Sequence, residues 1–357
     1  MSFSNIKKII IGLLILIVAV FVIYNFEISK VSNDKTNIEV QVSTGQNYLS
    51  ISKDLKEKGL IKSTFFYKIY VKTHKLNDLQ AGIYNLNKSM SVKELLNALE
   101  KGSTYNPDAF SITLPEGKNA RFVASLIEKN TNNTSEQFYS VLKNNEYLDK
   151  LINKYWFLDE SIKNENIYYS LEGYLFPDTY EFKNKDVSIE EIIESMLDQM
   201  GAKLSAYKTE INNSKYSLHE IITLASIIEL EGASSDDRSG VAGVFYNRLE
   251  ANWSLGSDVT TYYAEKVDIN ERELYKAEFD KVNAYNTRSS SMRGKLPVGP
   301  ICNPGIESIE ASINPTDHDY FYFVADKNKK TYFSKTSSEQ DQVVAKLKKE
   351  GLWYEYK

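Results

Sequence analysis

The chain holds a single cysteine, Cys302, in 357 residues. That excludes an internal disulfide and any metal site built on a cysteine cluster. Histidine is nearly as scarce. His74, His219 and His318 stand far apart and none forms an HExxH pair. A zinc hydrolase of that pattern has no support, and neither a metal nor another cofactor is expected. An excess of basic charge is also missing. Lys and Arg number 43 against 48 Asp and Glu, a formal net charge of −5, so nucleic acid is not an expected partner. No low-complexity stretch interrupts the chain, and 42% hydrophobic with 25% charged residues fits a globular protein, not a disordered one. The length allows more than one core.

The first positive signal is Ile9 to Phe26, IIIGLLILIVAVFVIYNF, 18 residues without a charge and close to the shortest run that spans a bilayer. Lys7 and Lys8 precede it, which favours a cytoplasmic N-terminus and an outward-facing remainder. Lys30 and Lys35 weaken that bias, though Glu27 and Asp34 accompany them. A cleaved signal peptide is the alternative. Tyr24, Asn25 and Phe26 offer no small-x-small cleavage site, so a retained anchor is expected. The expected layout is a cytoplasmic end (1–8), a transmembrane helix (9–26), a polar linker (27–37), a small α/β module (38–105) and a larger mixed α+β domain (106–357).

Within that layout one pattern occurs twice. Ile38-Glu39-Val40-Gln41-Val42 alternates like a half-buried strand and leads through Gly45 to a helical pattern at Leu49, Ile51 and Leu55. Phe110-Ser111-Ile112-Thr113-Leu114 alternates likewise and leads through Gly117 to Phe122, Val123, Leu126 and Ile127. Glycine suits a strand-to-helix turn that needs positive φ. Between the copies, Thr64–Leu76 reads as helix, Ala81–Leu86 as strand, and Ser91–Lys101 as an amphipathic helix with Ser91 and Glu94 spaced as a capping box. Residues 38–105 resemble the small LysM-like module, and both a spacer and a glycan binder remain open for them. Further on, Glu190–Leu204 and Gln340–Lys349 read as helices and Tyr320–Ala325 as a strand.

The chemistry concentrates in SLHEIITLASIIELEG, Ser217 to Gly232. Ser217 and Glu220 make a capping-box start. Apolar residues from Leu218 to Leu230 then cover nearly every face, the mark of a buried helix, and Gly232 is placed to end it. Glu229 and Glu231 stand on the last turn. The helix C-terminus carries partial negative charge, and apolar neighbours add desolvation. Both raise a carboxyl pKa toward the range of a general acid. Residues two apart point about 200° away from each other, so one of the pair faces a given cleft. Two surface residues at a frayed end would read the same way.

LASIIELEG followed by VAGVFYNRL resembles the signature of the YceG-like, MltG family of endolytic murein transglycosylases. Four further blocks follow the family order: Glu172-Gly173-Tyr174-Leu175-Phe176-Pro177-Asp178-Thr179-Tyr180; Leu255-Gly256-Ser257-Asp258 with Thr260 and Tyr263; Tyr285-Asn286-Thr287; and LPVGPICNPG, Leu296 to Gly305. Ala311, Asn314-Pro315 and Tyr322-Phe323-Val324 complete the series. Leu230 stands where the family often has lysine, Val259 replaces a proline, and Arg288 to Arg293 is unusually polar and basic. The resemblance implies non-hydrolytic cleavage of the N-acetylmuramic acid–N-acetylglucosamine bond, with Glu231 as the catalytic acid and Glu229 tuning it. Ser257, Asp258, Asn286 and Asn303 are candidate sugar contacts, the two asparagines being equally suited to turns. Glu172 is a supporting residue. The implied partners are glycan strands, the cytoplasmic membrane and peptidoglycan synthases. Two competing readings are a true muramidase, with Asp258 activating water, and a non-catalytic wall-binding scaffold.

Overall fold

The computed structural model describes residues 3–43, 45–77, 79–102, 109–231 and 234–353, with side chains described from residue 10 onward. The chain divides into two compact units, residues 1–109 and 110–357. The architecture is mixed α+β and mostly helical, with three separate two-stranded antiparallel sheets among the described residues.

The first unit opens with helix α1, Phe3–Ile28, whose stretch Ile10–Ile28 is apolar and long enough to cross a membrane. The remaining elements are β1 (Ile38–Val42), α2 (Ser52–Glu57), α3 (Thr64–Thr73), β2 (Gly82–Leu86) and α4 (Val92–Glu100). β1 pairs with β2, Val40 opposite Tyr84. Val40, Leu55, Tyr67, Leu86 and Leu95 form a core under this strand pair. The capping box at Ser91 forms as its spacing predicts. The stretch 27–37, expected as a polar linker, makes contacts at its start. Tyr24 and Ile28 pack on this core, and Lys62 donates to Phe26 O and Ser29 Oγ. Those groups sit at the end of α1, where carbonyls lack helical partners and accept a cation readily.

The second unit contains β3 (Phe110–Thr113), α5 (Ala120–Asn130), α6 (Ser135–Leu142), α7 (Asn145–Lys154), β4 (Thr179–Phe182), α8 (Ile189–Leu204) and α9 (Lys208–Asn213). It continues with α10 (Leu218–Glu231), α11 (Arg238–Glu250), α12 (Asp258–Ala264), α13 (Lys276–Phe279), α14 (Ile306–Ile313), β5 (Tyr322–Ala325), β6 (Thr331–Ser334) and α15 (Ser337–Lys349). β3 pairs with β4, and β5 with β6. The two sequence copies therefore share more than a strand and a turn. Each strand pairs antiparallel with a later strand across intervening helices, and Gly45 and Gly117 both take positive φ, +84° and +73°.

Helix α10 is the spine of this unit. Ile221, Ile222, Leu224, Ile227 and Ile228 are wholly buried, and each such side chain contributes about 1.5–3 kcal/mol relative to exposure. Ser217 and Glu220 cap its start reciprocally. Gly232, its expected terminator, lies outside the described residues. His219, a half-turn in, is a satisfied core histidine between Tyr174 Oη and Val298 O, and burial lowers its pKa. Ser226 accepts from Ile301 N and so fastens the 296–305 loop to the helix.

Candidate active site

The two glutamates at the end of α10 diverge, as the helical repeat requires. Glu229 accepts from Gly305 N (3.1 Å) and Ser308 Oγ (2.7 Å) and lies 3.6 Å from Arg238. Its carboxylate is spent on the first turn of α14, where unpaired N–H groups favour an anion. Glu231 turns the other way and accepts from Ser257 Oγ at 2.5 Å. It lines a cleft of about 710 Å³ together with Arg248, Ser257, Asp258, Tyr262 and Arg288. A second lobe of about 550 Å³ continues past Leu230, Val259, Tyr262, Ile269 and Asn270, which border both. Arg121 of α5 and Asp268 meet at 2.7 Å on the wall of that second lobe.

The electrostatics favour a protonated Glu231. Burial pushes its pKa above the usual carboxylate value, and the charge of Asp258 adds to the rise. The Ser257 hydrogen bond, Arg248 and Arg288 oppose it. Ser257 occupies the N-cap position of α12, yet its hydroxyl makes no capping bond there. Such a bond ordinarily stabilises a helix by about 1 kcal/mol. Here the hydroxyl serves Glu231 instead. Its backbone is pinned by Thr287, which accepts from Ser257 N at 3.0 Å and exchanges hydrogen bonds with Thr260.

Three of the expected site residues sit away from the cleft. Asn286 is fully buried. Its oxygen accepts from Thr261 Oγ1 and Arg288 N, and its nitrogen donates to Phe279 O and Lys281 O. Asn303, also buried, accepts from Gly173 N and Leu175 N and donates to Lys118 O. Both amides are consumed in holding loops, so neither is left to bind a sugar. Glu172 lies beneath, receiving Ala120 N, Tyr263 Oη and Asn303 Nδ2. Burial raises its pKa to about 7 against those hydrogen bonds. Glu172 and Asn303 thus tie the start of α5, the helix α12 and the 296–305 loop together under the cleft.

The structure also adds residues. Arg248 of α11 is mostly buried, with Nε donating to Phe321 O and Nη1 to Leu255 O. Phe245 and Phe323 form apolar wall beside it. Arg248 is the arginine of the VAGVFYNRL stretch, and what fixes it, Leu255 O and Phe321 O, lies outside that stretch. Glu116 lines the second lobe, its pKa raised by burial and by the nearby Glu229 charge.

The sequence pattern of the YceG-like family matches residues 40–346, and the chain belongs to that family. A protein of Bacillus subtilis (strain 168) named endolytic murein transglycosylase is 36% identical over 317 residues, covering 88% of this chain and 86% of its own. One of the same name from Streptococcus pneumoniae is 34% identical over 330 residues, of which the match spans 59% of that longer protein. The crystal structure of a yceG-like protein from Listeria monocytogenes superposes with a TM-score of 0.60 at 32% identity, covering 87% of this chain and all of that one.

Proposed function

We propose that this protein is an endolytic transglycosylase that cleaves peptidoglycan glycan strands, with Glu231 as its acid. The observation that carries the reading is the Glu231 carboxyl, desolvated in the cleft and oriented by Ser257, in a chain whose relatives bear that name. Ser257 engages Oε1, which leaves Oε2 to carry the proton. Glu231 gives that proton to the bridging oxygen as the bond to C1 of N-acetylmuramic acid breaks, and positive charge grows on the sugar. The resulting carboxylate takes the proton of the same sugar's C6 hydroxyl while O6 bonds to C1. A 1,6-anhydro end forms, the acid is regenerated, and no water is consumed. The fixed charge of Arg248 favours the transient carboxylate. A hydrolase would need a second carboxylate to activate water. Asp258, the residue suited to that, lines the same cleft and pairs with Arg288. Mass analysis of the products released by the full-length protein in detergent tests the choice. Anhydro-ended fragments are expected, and reducing ends in their place would make it a muramidase.

The same reading places residues 9–26 across the membrane, N-terminus inside, with 106–357 as the catalytic domain outside. Protease added to intact protoplasts should digest everything after the anchor. A protected C-terminus would refute that orientation. Residues 38–105 are read as a LysM-like module that positions the catalytic domain or helps hold glycan. Deleting them with the anchor kept should lower activity on intact wall more than on short soluble strands, whereas equal loss on both would assign them to folding.

A further inference from the structure

Three arginines, Arg248, Arg272 and Arg288, line the cleft around Glu231 beside two further carboxylates, Asp258 and Glu273. Arg248 is clamped by two carbonyls, and among the described residues no carboxylate lies within ion-pair distance of it. Arg272 is spent, since both of its Nη nitrogens fork onto Glu278. Arg288 is different. It lines the cleft and is half-exposed. Its backbone N–H is fixed by Asn286 Oδ1 at 3.1 Å, and its guanidinium lies over the Phe279 ring at 5.5 Å. Only Nε meets a carboxylate, that of Asp258. Among the described residues its two Nη nitrogens have no protein acceptor. Asn286 in turn uses its whole amide to hold this loop. The cation is therefore positioned in advance, which lowers the ordering cost of binding.

We infer that Arg288 anchors a subsite for a carboxylate of the peptide stem carried by the glycan. A guanidinium with two free nitrogens matches a carboxylate in a fork. Asp258 already shows that a carboxylate is accepted on the adjoining edge. This half-exposed pair is weak and screened, so it leaves the charge available. The inference rests on the murein reading above and adds what the cleft recognises beside the sugar. A phosphodiester of an attached wall polymer is the other anion that Arg288 would attract.

The test uses the full-length protein in detergent and three sets of uncrosslinked strands: stem-bearing, the same strands stripped of stems by an amidase, and strands carrying a phosphodiester polymer. For Arg288→Gln the ratio of kcat/KM on stem-bearing to stripped strands should fall about tenfold, carried by KM, the size expected for one lost charge-assisted hydrogen bond. Arg288→Lys should recover part of the ratio. A ratio that stays at its wild-type value overturns the inference. So does a fall confined to the polymer-bearing strands, which would assign Arg288 to phosphate. Failure of the wild-type protein to release anhydro ends from any of the three overturns the transglycosylase reading and this subsite with it, and is told apart because no ratio can then be formed.

Discussion

Replacing Glu231 by glutamine is expected to cut turnover by roughly 100- to 10,000-fold, the usual loss on removing a general acid, while folding and glycan binding persist. Glutamine keeps the shape and can still accept from Ser257 Oγ, but it has no proton to give the glycosidic oxygen. Circular dichroism and strand-binding measurements check the first half, and release of anhydro-ended fragments the second. Glu229→Gln should do less to the chemical step, because that carboxylate faces α14 and Arg238. Near-normal release by Glu231→Gln together with a dead Glu229→Gln would reverse the assignment. A pH profile sharpens it. The acid must start protonated, so kcat/KM should fall as pH rises through the elevated pKa of Glu231. Ser257→Ala removes a hydrogen bond that lowers this pKa, so the alkaline limb should move to higher pH. An unmoved limb would detach Ser257 from the acid.

Gly173→Ala is expected to be among the most damaging single substitutions to stability. Gly173 has φ of +88°, and a Cβ there would lie 2.4 Å from the Pro300 ring and 3.0 Å from Ile222. Left-handed backbone for a non-glycine residue and overpacking against a ring each cost about 1–3 kcal/mol. Their sum is about 3 kcal/mol or more, which lowers Tm by on the order of 10 °C for a unit this large. Gly256→Ala, in the same unit, is the control, because φ is +65° there but the nearest atoms are 3.9 and 4.0 Å away. Only the backbone cost, about 1 kcal/mol, should appear. Thermal unfolding of both variants decides. Equal small shifts would mean that the 296–305 loop yields to the added methyl.

The helix α10 was legible because its apolar residues run around every face, and because two glutamates two residues apart must diverge. The repeated strand-glycine-helix pattern was legible for the same local reasons. What escaped was set by residues far away in the chain. Whether Asn286 and Asn303 reach a sugar or a loop carbonyl depends on Phe279, Lys281, Gly173 and Lys118, none of which a local pattern brings near. What fixes Arg248, the Phe321 carbonyl, also lies far along the chain. Polar composition likewise does not reveal that Lys62 reaches back to Phe26. The motif blocks were visible as an ordered series. The structure gives their physical reason, since Glu172 touches Asn303 and Tyr263, Gly173 packs on Pro300, and Ser257 leans on Thr287.

The carbonyl of Phe321 that holds Arg248 lies far beyond Glu231 in sequence. A ribosome delivers the acid, its serine and most of the cleft well before it delivers that clamp. Until the β5–β6 hairpin has emerged and docked, Arg248 has lost one of its two carbonyl anchors, and the charge that steadies the transient carboxylate is free to wander into water. A growing chain therefore presents Glu231, the proposed acid, before Arg248 is fixed, and the support is complete only after β6 (Thr331–Ser334) has emerged and docked.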